Sequence, residues 1–125
     1  MALAVRDVQQ SVSWYQEVLG LTRRHADVWG NFPAVVGCGG TSLALFPVAS
    51  AAPKPPPARD VLAVRHIAFR TGRQDFELAQ AALRERGIPR EFQDHTIAHS
   101  IYFHDPDGHQ LEITTCDVGR MDAAP

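Results

Sequence analysis

His99-Ser100-Ile101-Tyr102-Phe103-His104-Asp105-Pro106-Asp107-Gly108-His109-Gln110-Leu111-Glu112-Ile113-Thr114 holds two alternating runs around a reverse turn. Ile101 and Phe103 alternate with Ser100 and Tyr102, and Leu111 and Ile113 with Gln110 and Glu112. A period of two is the signature of a strand with one buried face. Between the runs, Asp105-Pro106-Asp107-Gly108 puts proline and glycine where a reverse turn favours them. The spacing therefore predicts strands over His99 to His104 and His109 to Thr114. Upstream, Arg90 to Gln93 reads as a strand and Phe76 to Arg86 as a helix ended by Gly87, with Leu78, Ala79, Ala82 and Leu83 on its buried face. Leu62 to Arg70 reads as the opening strand. The second half is β-α-β-β-β.

The first half repeats that order. Met1 to Arg6 is a short strand, and Asp7 caps a helix in which Val8, Val12, Tyr15, Val18 and Leu19 recur at helical spacing up to Gly20. Strands are predicted over Leu21 to Val28, Phe32 to Gly37 and Ser42 to Val48, with Gly39-Gly40 turning the last pair. The two halves (residues 1–48 and 62–116) flank a proline-rich connector at 49–61, in which Pro53, Pro55, Pro56 and Pro57 favour an extended chain. A tail follows at 117–125. The duplication predicts an α+β fold: two tandem βαβββ units making a cupped mixed sheet, with helices on its outer face.

Composition excludes several function classes. A chain of 125 residues with 45% hydrophobic and 21% charged side chains suits one globular domain. A formal charge of -2 supplies no basic face for nucleic acid or an anionic membrane. No apolar run is long enough for a bilayer, and the N-terminus lacks the regions of a signal peptide. Cys38 and Cys116 have no CxxC spacing. A cytoplasmic protein with free thiols is expected. No G-x-S-x-G elbow, phosphate-cradling loop or dinucleotide fingerprint appears.

Alternation assigns the faces. Ile67, Phe69, Ile101, Phe103, Leu111 and Ile113 are expected toward the helices, and His66, Ala68, Ser100, Tyr102, Gln110, Glu112 and Thr114 toward the cavity. An imidazole on the opening strand and a carboxylate on the closing strand would then share one hollow. Those donors suit a divalent metal such as Zn, Mn, Fe or Ni.

Leu3-Ala4-Val5-Arg6-Asp7, Trp14-Tyr15-Gln16-Glu17-Val18-Leu19-Gly20-Leu21, Val64-Arg65-His66-Ile67-Ala68-Phe69 and Tyr102 to Glu112 together resemble the vicinal oxygen chelate superfamily. That group holds glyoxalase I, extradiol dioxygenases, fosfomycin-resistance thiol transferases and bleomycin-resistance proteins. The resemblance implies His66 and Glu112 as metal ligands, Glu112 as a catalytic group, and a substrate with vicinal oxygens. It also implies a homodimer in which each cavity is built from both chains. In the first unit the pattern sets Met1 opposite Ile67, so the first histidine would precede Met1, and the fourth ligand position falls at Ala44. One expectation is a native chain that starts a few residues earlier with that histidine. The competing expectation is a protein that binds no metal or completes the site with another histidine.

Other residues bear on the ligand. Trp29, Phe32 and Phe46 are candidate aromatic walls for a planar small molecule, while Trp14 and Tyr15 pack on the helix. His99 and Tyr102 are candidate substrate contacts, with Arg6 and Arg70 as further anion or hydroxyl contacts. His95 is expected at the pocket rim; His104 and His109 are expected in solvent beside their turn. Two functions follow from these residues: a metal-dependent enzyme acting on a small molecule, or a metal-free protein that sequesters an aromatic compound.

Overall fold

The computed structural model describes residues 1–119; most of the 117–125 tail expected from sequence lies outside the described residues. The chain forms two compact units that divide between Pro56 and Pro57. In the first, β1 (Ala2–Val5), α1 (Val8–Leu19), β2 (Thr22–Arg24), a short α2 (Ala26–Trp29), β3 (Ala34–Cys38) and β4 (Thr41–Pro47) follow in order. In the second come β5 (Ile67–Arg70), α3 (Arg73–Glu85), β6 (Glu91–Asp94), β7 (His99–His104) and β8 (Gln110–Thr115). Each unit's strands hydrogen-bond into a mixed four-stranded sheet, ordered β1-β4-β3-β2 and β5-β8-β7-β6. The α+β class and the doubled βαβββ order are therefore as the sequence predicts.

Local chemistry accounts for the elements. The Asp7 carboxylate accepts Gln10 N–H at 3.0 Å and so satisfies an amide left open by the first turn of α1. Gly20 ends that helix in the left-handed region at φ 68°, which a side chain would oppose. α1 buries Val8, Val12 and Tyr15 against β3 and β4, where Ala34, Val36, Leu43 and Leu45 complete the core of the first unit. α3 buries Phe76 and Leu83, and Ile101, Phe103, Leu111 and Ile113 form the matching layer of the second sheet. Cys38 and Cys116 are free thiols.

Four sequence expectations are corrected. The strand expected over Leu21 to Val28 stops at Arg24, because His25 turns left-handed at φ 58° and the next residues coil into α2. The Arg23 guanidinium fastens this turn by donating to Gly30 O at 2.6 Å and Asn31 Oδ1 at 2.9 Å. The strand expected from Leu62 begins only at Ile67, since its partner β8 begins at Gln110 and leaves residues before His66 nothing to pair with. α3 starts at Arg73 rather than Phe76, its first turn being polar. Leu78 is exposed, because it lies about 200° around the helix from Phe76.

The reverse turn between β7 and β8 is closely built. Asp105 N–H donates to His109 O at 3.0 Å and Gly108 N–H to Asp105 O at 3.0 Å. The Asp105 carboxylate, itself buried, accepts Asp107 N–H at 3.0 Å and His109 N–H at 2.9 Å through Oδ1. This turn sets the register in which Tyr102 faces Glu112 and Ser100 faces Thr114.

Candidate functional site

Polar groups gather on the helix-free side of the second sheet. β5 runs parallel to β8 with Ala68 opposite Glu112, so His66, two residues earlier, projects from the same side. His66 Nε2 lies 2.8 Å from Glu112 Oε1, with the His66 side chain 31% and the Glu112 side chain 11% exposed. Ser100 Oγ, fully buried, donates to Glu112 Oε2 at 2.7 Å and lies 3.0 Å from Thr114 Oγ1. A hydroxyl donating to a carboxylate makes a short, strong bond that fixes its rotamer. Both carboxylate oxygens are thereby held.

Tyr102 completes the cluster. Its ring meets that of His66 edge-on, with centroids 5.7 Å apart, and His95 Nε2 lies 3.0 Å from its hydroxyl. Burial raises the Tyr102 pKa above the ordinary phenol value, and the Glu112 charge across the ladder raises it further. A second anion beside a carboxylate is disfavoured, so this phenol keeps its proton well into the alkaline range.

Of the residues singled out from sequence, His66, Glu112 and Tyr102 come together here. His99 does not. The alternation that turns Tyr102 toward His66 turns His99 toward α3, where its Nδ1 lies 2.9 Å from Arg73 Nη2 and its ring meets Phe92. Arg73 also donates to Asp117 O at 2.7 Å from the same nitrogen. Trp29, Phe32 and Phe46 belong to the first unit. Phe32 and Phe46 meet edge-on at 5.8 Å, while Trp29 sits on α2 beside His25. Sequence reasoning placed Ser100 on the correct face without giving it a task; its parity with Glu112 on neighbouring strands was the available signal. Nothing in the sequence marked Arg73.

The first unit carries the same registers with different side chains. Ala44 pairs with Ala2 and Val35, just as Glu112 pairs with Ala68 and Tyr102. Ala44 thus occupies the place of Glu112, Val35 that of Tyr102, and the place of His66 falls one residue before Met1. An imidazole nitrogen and a carboxylate oxygen already within bonding reach suit a divalent ion that takes nitrogen and oxygen donors. They would supply two of its ligands; among the described residues no group of three or more His, Cys, Asp or Glu is assembled. Nor is any helix among them long and apolar enough to cross a membrane.

With the fold and these donors described, comparison with known proteins gives the family. The chain belongs to the Glyoxalase/Bleomycin resistance protein/Dioxygenase superfamily, whose profile matches residues 1–113. It is 37% identical to the glutathione transferase FosA of Serratia marcescens over 113 residues, covering 90% of this chain and 76% of that one. It is 32% identical to the metallothiol transferase FosB of Staphylococcus epidermidis over 124 residues, covering 92% and 78%. Among solved structures, a glyoxalase/dioxygenase from Nostoc punctiforme superimposes with a TM-score of 0.78 at 28% identity, covering 92% and 87%.

Proposed function

We propose that this protein is a metal-dependent thiol transferase acting on a small oxygen-rich electrophile, with His66 and Glu112 as two metal ligands and Tyr102 as a substrate contact. The observation that carries the reading is the 2.8 Å approach of His66 Nε2 to Glu112 Oε1, with Ser100 holding the second carboxylate oxygen. The names of the FosA and FosB relatives favour thiol transfer over isomerisation or ring cleavage.

A bound divalent ion would polarise a substrate oxygen and offset the negative charge that develops on it. His66 and Glu112 would hold that ion, and the remaining positions are left for substrate, water or a donor from a second copy. Tyr102, protonated, can donate a hydrogen bond to a substrate oxygen beside Glu112. For a strained electrophile such as fosfomycin, an epoxide bearing a phosphonate, the chemistry balances simply. The sulfur of the thiol forms a bond to ring carbon, the ring carbon–oxygen bond breaks, and the proton given up by the thiol ends on that oxygen.

The test has two parts. Chelator-stripped protein titrated with Mn²⁺, Zn²⁺, Ni²⁺ and Fe²⁺ in a calorimeter is expected to bind one of them stoichiometrically, and His66→Ala and Glu112→Gln to lose it. The loaded protein, given fosfomycin with glutathione or cysteine, is expected to yield a thiol adduct detectable by mass. Metal binding unaffected by both substitutions would overturn the reading.

A second reading, metal-free sequestration of an aromatic compound, is favoured by the first unit. There Ala44 stands in place of the carboxylate, beside the edge-to-face pair of Phe32 and Phe46. A protein that takes up no metal yet binds an aromatic ligand would support it.

A further inference from the structure

Arg23 and Arg24 are neighbours on β2 with opposite tasks. Arg23 pairs with Val36 and so shares the helix-facing parity of Leu43; its guanidinium is committed to Gly30 O and Asn31 Oδ1. Arg24 pairs with Val35 and, through it, aligns with Ala44, which sets it on the helix-free face of the first sheet. Among the described residues its side chain makes one hydrogen bond, from Nη1 to Ser42 Oγ at 3.1 Å. Ser42 belongs to β4, so the guanidinium crosses β3 to reach it, and it crosses at Gly37. A Cβ at Gly37 would lie 2.9 Å from Arg24 Nη1 and 2.6 Å from Ser42 Oγ, closer than such atoms approach. A glycine inside a regular strand marks a place where another group comes close, and here that group is the cation.

A guanidinium offers its N–H donors in a planar fork. Ser42 Oγ accepts from that fork, so the serine's own hydrogen remains to be donated, polarised by the cation beside it. A cationic fork and a hydroxyl, side by side and without a carboxylate between them, suit an oxyanion held by charge-assisted bonds. The surface beyond them is apolar. On the same face of β4, Ala44 follows Ser42 and Phe46 follows Ala44, about 13 Å along the strand from the serine. Val35 lies beside Ala44, and Phe46 meets Phe32 edge-on at 5.8 Å. Ala44 raises no bulk between the cationic end and the aromatic one.

We infer that this face of the first unit binds a small organic acid, its carboxylate on Arg24 and Ser42 and its aryl or alkyl body over Val35 and Ala44 toward Phe46. The inference goes beyond the proposed function and calls on neither metal nor thiol. It adds to aromatic binding a requirement for negative charge.

The probe is 4-phenylbutyrate, with 4-phenylbutanamide as its uncharged counterpart and inorganic phosphate as an anion without a body. Each is titrated by NMR into the full chain, stripped of metal, at about pH 7, where a carboxylate is ionised. The acid is expected to bind at least about tenfold more tightly than the amide and to shift the backbone signals of Arg24, Gly37 and Ser42. Phosphate, which leaves the apolar surface uncovered, is expected to bind at least about tenfold more weakly than the acid. Arg24→Gln is expected to remove the acid's advantage over the amide, and Ser42→Ala to weaken the acid roughly fivefold. An amide bound as tightly as the acid would leave an aromatic surface with no anion pocket and overturn the inference. Phosphate bound as tightly would leave an anion pocket with no organic body, with the same result. The inference also fails if either variant binds the acid like wild type, or if the acid does not bind wild type. A chain that binds the acid but forms no thiol adduct loses the proposed function and keeps this site.

Discussion

The two units follow one pattern of strands and differ in chemistry on their helix-free faces. Beneath the helices both remain apolar: Val36, Leu43 and Leu45 in the first, Ile101, Phe103, Leu111 and Ile113 in the second, all buried. On the other side Ala44, Val35 and Phe46 stand where the second unit has Glu112, Tyr102 and Thr114. Strand pairing binds backbone to backbone, and cross-strand side-chain pairs on the face away from the core add only roughly 0.2–1 kcal/mol each. One parity of residues thus maintains the architecture, and the other is free to carry chemistry in one copy and lose it in the next.

Substitutions probe that contrast, beginning with the core. Phe103 and Val36 occupy equivalent buried places, and truncation to alanine is expected to cost about 3–5 kcal/mol at Phe103 against about 2 kcal/mol at Val36, read from urea unfolding. Similar costs at both sites would mean that the two layers are not packed alike. The polar face comes next. Glu112→Gln is expected to weaken divalent-metal affinity at least about 100-fold, and Ser100→Ala roughly tenfold, because the serine only fixes the carboxylate. A calorimetric titration finding no loss in Ser100→Ala would remove its orienting role.

The helix starts offer a smaller contrast. Asp7 caps α1 with its side chain, whereas α3 opens at Gly72 with no side-chain cap. Asp7→Ala is expected to lower stability by about 1 kcal/mol and Gly72→Ser to raise it by a few tenths. Gly72 has an ordinary extended backbone, with no atom near where a Cβ would go. Last, the phenolate absorbance lost in Tyr102→Phe is expected to develop above the ordinary tyrosine range near about pH 10. Glu112→Gln should bring it down part of the way, burial being the larger cause. Since the folded value is raised, the associated stability is intact below about pH 10 and lost as pH rises through that folded value.

Much of this was legible in the sequence, and the reason is periodicity. A period of two fixed which residues of β7 and β8 share a face, which is why His66, Tyr102 and Glu112 could be grouped before any coordinates. The same rule should have separated His99 from Tyr102, three residues apart and so of opposite parity. What escaped lay where no period operates. His25 turned a strand into a helical turn through one left-handed residue, and the apolar run from Leu62 looked like a strand although β8 had no backbone left to pair with it. The hold of Arg73 on His99 and Asp117 joins elements far apart in the chain, through a long side chain whose direction local pattern does not set.

The loop gathered around the Asp105 carboxylate supplies no candidate ligand, yet it places Glu112 opposite Tyr102 by arithmetic. One residue inserted or deleted between His104 and His109 would slide one strand a single step past the other. Glu112 would then swing beneath α3 and Leu111 out to the open side, dismantling the cluster without altering any member of it. Asp105 and Gly108 give the loop its shape, and the number of its residues gives the sheet its phase.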